Sequence, residues 1–117
     1  MQQITDISIL EPEGELDSHQ GRLLLDQINT LLQFEWSRVV IDLSDVDHID
    51  IKILPELLRA ALFSANQFGG LKLANVGSYT RTLLRLAGIE GHFETYDSVA
   101  DAVLSFGTPM GGTDTLQ

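Results

Sequence analysis

Cysteine is absent from the 117-residue sequence, which excludes a disulfide framework, a thiolate metal site and a cysteine nucleophile. That agrees with a reducing cytoplasm. Basic residues are scarce as well: seven Lys and Arg stand against 17 Asp and Glu, for a formal net charge of -10. A chain so acidic is repelled as a whole by nucleic acid and by anionic membrane surfaces, so neither is expected as a partner. No apolar run is long enough to cross a bilayer, and Met1 to Asp6 carry neither the basic nor the long apolar stretch of a signal peptide. One local absence matters most: between Asp45 and Leu54 there is no serine, threonine or cysteine.

What is present alternates between strand and helix. Ile7, Ile9 and Leu16 flank Glu11-Pro12-Glu13-Gly14, a turn-like stretch that suggests a β-hairpin. Asp17 or Ser18 suits a helix cap, and Leu23, Leu24, Ile28, Leu31 and Leu32 recur at helical spacing to about Gln33. Arg38 to Leu43 is a continuous apolar run of the kind found in a strand covered on both faces. After a polar loop, Ser44 to Ile53, a helix is expected from about Ile53 to Phe68, stopped by Gly69-Gly70. Leu71 to Val76 suits a strand and Tyr79 to Ala87 a third helix, ended by Gly88. Phe93 to Tyr96 suits a short edge strand and Val99 to Phe106 a final helix. Such an order predicts an α/β domain with a mixed central sheet and about four helices over residues 1–106, followed by a disordered tail over 107–117. Sites in such sheets form at the carboxyl ends of strands, which directs attention to Ser44 to Ile53.

Several chemistries can be weighed there. Asp42, Asp45, Asp47 and Asp50 could be read as ligands for magnesium or calcium, but no Asp-x-Asp-x-Asp-Gly loop with a distal Glu occurs, and carboxylates near a helix start are favoured by its dipole in any case. No metal or other cofactor is therefore expected. A phosphoaccepting Asp42 would want a lysine late in the chain, whereas the only lysines are Lys52 and Lys72. His19, His48 and His92 lack a Gly-x-Ser-x-Gly elbow or a His-Glu-x-x-His pair, so no catalytic residue is assigned and no enzyme is expected. The glycine pairs Gly69-Gly70 and Gly111-Gly112 lack phosphate-loop context. Arg81 and Arg85, one turn apart, read as a solvated helix face or a partner contact.

The ordered series Gly14-Glu15-Leu16-Asp17, Val39-Val40-Ile41-Asp42-Leu43, Ile49-Asp50, Gly69-Gly70-Leu71-Lys72-Leu73 and Leu83-Leu84-Arg85-Leu86-Ala87-Gly88-Ile89, with Phe93 and Tyr96 beyond, resembles the STAS domain, the fold of bacterial anti-sigma factor antagonists. The likeness runs from about Ile7 to Phe106. It implies a domain that binds a partner protein, such as an anti-sigma factor with serine kinase activity or a larger signalling complex. In the family an Asp-Ser-Ser-Gly-Leu or Asp-Thr-x-Gly-Leu signature opens the helix after the central strand, and a kinase phosphorylates its hydroxyl. The added charge switches binding off. Here the match is Asp50-Ile51-Lys52-Ile53-Leu54: the aspartate and leucine correspond, Ile51 and Lys52 stand in the hydroxyl positions, and Ile53 replaces the glycine.

The phosphorylation positions are thus degenerate at Ile51 and Lys52. The resemblance implies a domain that is permanently competent to bind, or that serves a complex in which another subunit carries the switch. Its expected contact surface is Asp17, Ser18, Asp47, His48, Asp50, Ile51, Lys52, Ile53 and Leu54, with burial the competing role for Ile51 and Ile53. A cytoplasmic STAS subunit of a membrane transporter and a small enzyme or metal-binding domain using the acidic loop are the alternatives. Phe34 and Trp36 offer self-association as a homodimer or, in the opposing view, a core role at a strand entry.

Overall fold

The computed structural model describes residues 7–34, 37–66 and 69–107. A four-stranded sheet runs in the order β1 (Ile7–Leu10), β3 (Arg38–Asp42), β5 (Gly70–Ala74), β6 (Glu94–Tyr96), and a two-stranded ribbon pairs β2 (Gly14–Leu16) with β4 (Val46–Ile49). The helices are α1 (Ser18–Leu31), α2 (Leu54–Asn66), α3 (Ser78–Leu86) and α4 (Val99–Ser105), with single 3-10 turns at Ile51–Ile53 and Glu90–His92. The α/β class and the four helices agree with the sequence pattern. Every pairing among the described residues is parallel, not mixed.

Both faces of β3 are covered, which is why its sequence is apolar without alternation. Val39 and Ile41 join Leu71 and Leu73 of β5 beneath α1 and α2, together with Leu25, Ile28, Leu54 and Leu57. Val40 and Ala74 point the other way and meet Ala102 of α4 in a smaller cluster. Lys72 shares that second face, and its ammonium is almost wholly buried between Ser105 Oγ at 2.6 Å and Glu94 Oε1 at 3.0 Å. The rings of Phe106 and Tyr96 lie 4.2 and 5.4 Å from the same nitrogen and contribute cation–π attraction.

The helix ends follow from local chemistry. Asp17 caps α1 by accepting from the Gln20 amide at 2.8 Å, and Ser98 caps α4 by accepting from Asp101 at 3.0 Å. Helix α3 closes at Gly88, whose φ of 77° lets its own amide reach Arg85 O while the Ile89 amide reaches Leu84 O, both at 3.0 Å. These are the paired bonds of a Schellman stop.

The suggested hairpin does not form. β1 pairs with β3 and β2 with β4, so Glu11 to Glu13 bend the chain out of the main sheet without reversing it. The neighbouring strand bends at the same level, through Leu43 to Asp45, and the two links are joined by a bond from the Gly14 amide to Asp45 O at 2.8 Å. Gly14 has a φ of 74°, which suits the bend. The supposed loop Ser44 to Ile53 correspondingly contains a strand, β4, and a 3-10 turn. The expected end of α2 at Gln67 and Phe68, Trp36, and the tail beyond Gly107 lie outside the described residues.

Candidate functional site

Where β2 and β4 end, the chain twice turns sharply into a helix. Asp17 follows β2 and Asp50 follows β4, and the Asp50 amide donates to Leu16 O at 2.8 Å, which holds the two exits side by side. Each aspartate then caps the helical turn next to it. Asp17 caps α1, while Asp50 Oδ1 accepts from the Lys52 amide at 2.9 Å and Asp50 O from the Ile53 amide at 2.9 Å. The sequence thus folds here because each carboxylate satisfies an otherwise orphaned first-turn amide.

Of the nine residues expected to form the contact surface, seven do share one edge. Glu15, Leu16, Asp17, His48, Ile49, Asp50 and Tyr79 line a shallow depression of about 320 Å³. Asp47, Ser18 and Lys52 are exposed beside it, and Ile51 is 49% exposed at the tip of the 3-10 turn. The remaining two are displaced inward: Ile53 is 4% exposed and Leu54 0%, so neither offers a surface to another protein. Their burial is physically determined. Leu54 begins α2 on its core-facing side, and Ile53 fills space left by Gly21 of α1. A methyl group added at Gly21 would collide with Ile53 Cδ1 and lie 2.6 Å from its Cγ1.

Two residues belong to this edge that the sequence pattern did not single out. Glu15 pairs in register with His48 across the β2–β4 ribbon. Tyr79, in the first turn of α3 and 47% exposed, packs edge-on against His48 with ring centroids 4.6 Å apart and planes at 75°. Acidic composition near Asp17 hinted at Glu15; nothing local in the sequence marks Tyr79, since the contact is made by the fold.

The aspartates do not gather into an ion site. Asp42 sits at the end of β3, where its Oδ1 accepts from Asn75 Nδ2 and from the Ser44 amide, both at 3.0 Å. Burial pushes its pKa upward, but the hydrogen bonds from Asn75 and Ser44 outweigh this and leave it below the ordinary carboxylate value. Among the described residues, no three His, Asp or Glu side chains are placed to hold a metal ion. No described helix is long and apolar enough to cross a membrane. Arg81 and Arg85 are not a free basic stripe, because both face Glu90, at 3.2 and 3.7 Å. Phe34 is 68% exposed and therefore takes no core role.

Comparison with known proteins matches residues 1–102 to the model of the STAS domain. Among solved structures the fold is similar to a Thermotoga maritima protein described as an anti-sigma factor antagonist (21% identity over 90% of this chain and 91% of that one, TM-score 0.77). It is similar also to an anti-sigma factor antagonist from Mycobacterium paratuberculosis (23%, 90% and 89%, TM-score 0.74). A third similar fold is a sulfate transporter family protein from Wolinella succinogenes (16%, 89% and 88%, TM-score 0.67). Comparison with curated proteins gives no match.

Proposed function

The chain belongs to the STAS domain family, and from that premise we propose that it is a protein-binding regulatory domain of the anti-sigma factor antagonist kind, one that is not phosphorylated at the usual position. It acts by occupying a partner in the cytoplasm, not by turnover. The partner is an anti-sigma factor with kinase activity or a signalling complex in which another subunit carries the switch.

One observation carries this reading. The turn that opens α2 is held by the Asp50 cap and by buried Ile53 and Leu54, and it presents half-exposed Ile51 and exposed Lys52, the residues that the sequence resemblance aligns with the family's hydroxyls. A rigid support under an exposed apolar side chain keeps the entropy cost of docking low. Neither Ile51 nor Lys52 has an oxygen that a serine kinase could modify, and an ammonium does not imitate phosphate.

Incubation with candidate kinases and ATP, followed by mass spectrometry, tests the regulatory half: stoichiometric phosphate anywhere in residues 44–54 would overturn it. Capture from the native cell with wild-type and Ile51→Asp bait tests the binding half. A captured protein that is lost with the variant is expected. The likeness to a transporter-family protein favours a second reading, a STAS subunit serving a membrane transporter, and recovery of a transporter or its ATPase in the same capture would establish it instead.

A further inference from the structure

We infer that the partner of this edge presents a basic surface, with Arg and Lys side chains set around an apolar socket that receives Ile51. The inference rests on the binding role proposed above and adds the partner's chemistry to it.

Most of the protein's cations are committed elsewhere. Arg22 pairs with Glu56, Lys72 with Glu94, and Arg81 and Arg85 with Glu90. Among the described residues none of the ion pairs involves Glu15, Asp17 or Asp50, which line the depression with His48, or Asp47, the exposed residue before His48. Asp17 and Asp50 are retained by the fold as caps, but Glu15 and Asp47 are exposed and hold no helix end. Four like charges on one small edge repel one another, and charges supplied by a partner would relieve that repulsion.

The apolar part has the layout of a binding centre. Tyr79 lies against His48, Glu15, Asp17 and Asp50 line the same depression, and half-exposed Ile51 follows Asp50 at its margin. An interface of this type buries its apolar centre and meets charge at the rim with opposite charge. A phosphorylated or acidic surface would be repelled. Lys52 is the exposed cation beside the rim, so its removal sharpens the match, and Lys52→Glu should strengthen binding. That sign is opposite to the one a phosphoryl group has at the family's switch.

The test uses the full chain and two synthetic peptides of equal length, one built of Arg and Leu, the other with Glu in place of Arg, followed by calorimetry and amide chemical shifts. The Arg-containing peptide should shift residues 15–17, 47–52 and 79, and its affinity should fall about tenfold between roughly 50 and 200 mM salt. Glu15→Lys combined with Asp47→Lys should weaken it about tenfold more, and Lys52→Glu should tighten it about threefold. The variant with Asp26→Lys and Asp97→Lys carries the same net charge but leaves this edge intact, and it should keep wild-type affinity. Equal loss in both double variants, shifts centred elsewhere, or preference for the Glu-containing peptide would each overturn the inference. A cellular partner that needs Ile51 yet ignores Glu15→Lys with Asp47→Lys would sink the basic-surface claim alone; a partner indifferent to Ile51→Asp would sink the binding reading beneath it.

Discussion

The side-chain amide of Asn75 donates to Asp42 Oδ1 at 3.0 Å and so ties the carboxyl end of β5 to that of β3. Asp42 is half-buried, and removing it as Asp42→Ala should cost about 1 kcal/mol in urea unfolding, the ordinary net worth of such hydrogen bonds. Because the folded pKa lies below the unfolded one, the contribution is fully present above about pH 4. It is lost as pH falls through the lower, folded value. Wild type and Asp42→Ala should therefore differ in stability at neutral pH and converge in acid.

Asn75 also has a φ of 58°, the left-handed region that costs most side chains strain. Asn75→Gly loses the hydrogen bond to Asp42 but keeps the backbone at ease, whereas Asn75→Ala loses both. The alanine variant should be less stable than the glycine variant by about 1 kcal/mol in chemical denaturation.

Gly21 and Ile53 share a space that only one side chain can fill. Gly21→Ala should destabilise by about 1–3 kcal/mol through overpacking. Ile53→Ala should cost about 2–4 kcal/mol alone but much less when Gly21→Ala is already present. A double-mutant cycle that proved additive would show that the two do not meet.

For Lys72 and Glu94 the expected effects are unequal. Lys72→Met keeps an unbranched apolar stem beside the rings of Phe106 and Tyr96 and removes the need to bury a charge, so stability should stay within about 1 kcal/mol of wild type. Glu94→Gln leaves the ammonium in place with a weaker partner and should be the more damaging change. Glu94 is 65% exposed, which holds the expected loss to about 1 kcal/mol. Thermal melts of the two variants decide the order.

At the 3-10 turn, Ile51→Asp should leave the melting temperature nearly unchanged, whereas Ile53→Asp should unfold the domain or cost more than about 3 kcal/mol by burying a carboxylate. Circular dichroism on both variants is enough to show the contrast.

The positions of the four helices are readable in the sequence because apolar spacing and end signals, such as Asp17, Ser98 and Gly88, act locally. The central strand is readable for a related reason: Val39-Val40-Ile41 can only be covered on both sides. β1 and β2 look like a hairpin and are not one, because a Pro-Gly bend says that the chain turns, not which strand it turns toward. β4 escapes notice because Val46-Asp47-His48-Ile49 is short and half polar, and it is a strand only through its pairing with β2. The candidate edge is legible through Asp17 and Asp50 as an acidic neighbourhood, but the inward placing of Ile53 depends on Gly21, 32 positions earlier in the chain. The burial of Lys72 carries no signal in the sequence, because it depends on Ser105 and Phe106 at the end of α4, more than 30 positions later in the chain.

The joint bend of the two strand pairs has an evolutionary corollary. The stretch from Glu11 to Glu13 and the stretch from Leu43 to Asp45 leave the main sheet together and are clasped by the bond from the Gly14 amide to Asp45 O. The two links already differ in length: Leu10 lies opposite Ile41, but Gly14 lies opposite Val46 and Glu15 opposite His48, so the β3–β4 side carries one extra residue in its link and another in a bulge at the start of the ribbon. A bulge takes up a residue that has no counterpart, so homologues should vary in length on this side while the residues at Glu15 and His48 stay opposite each other.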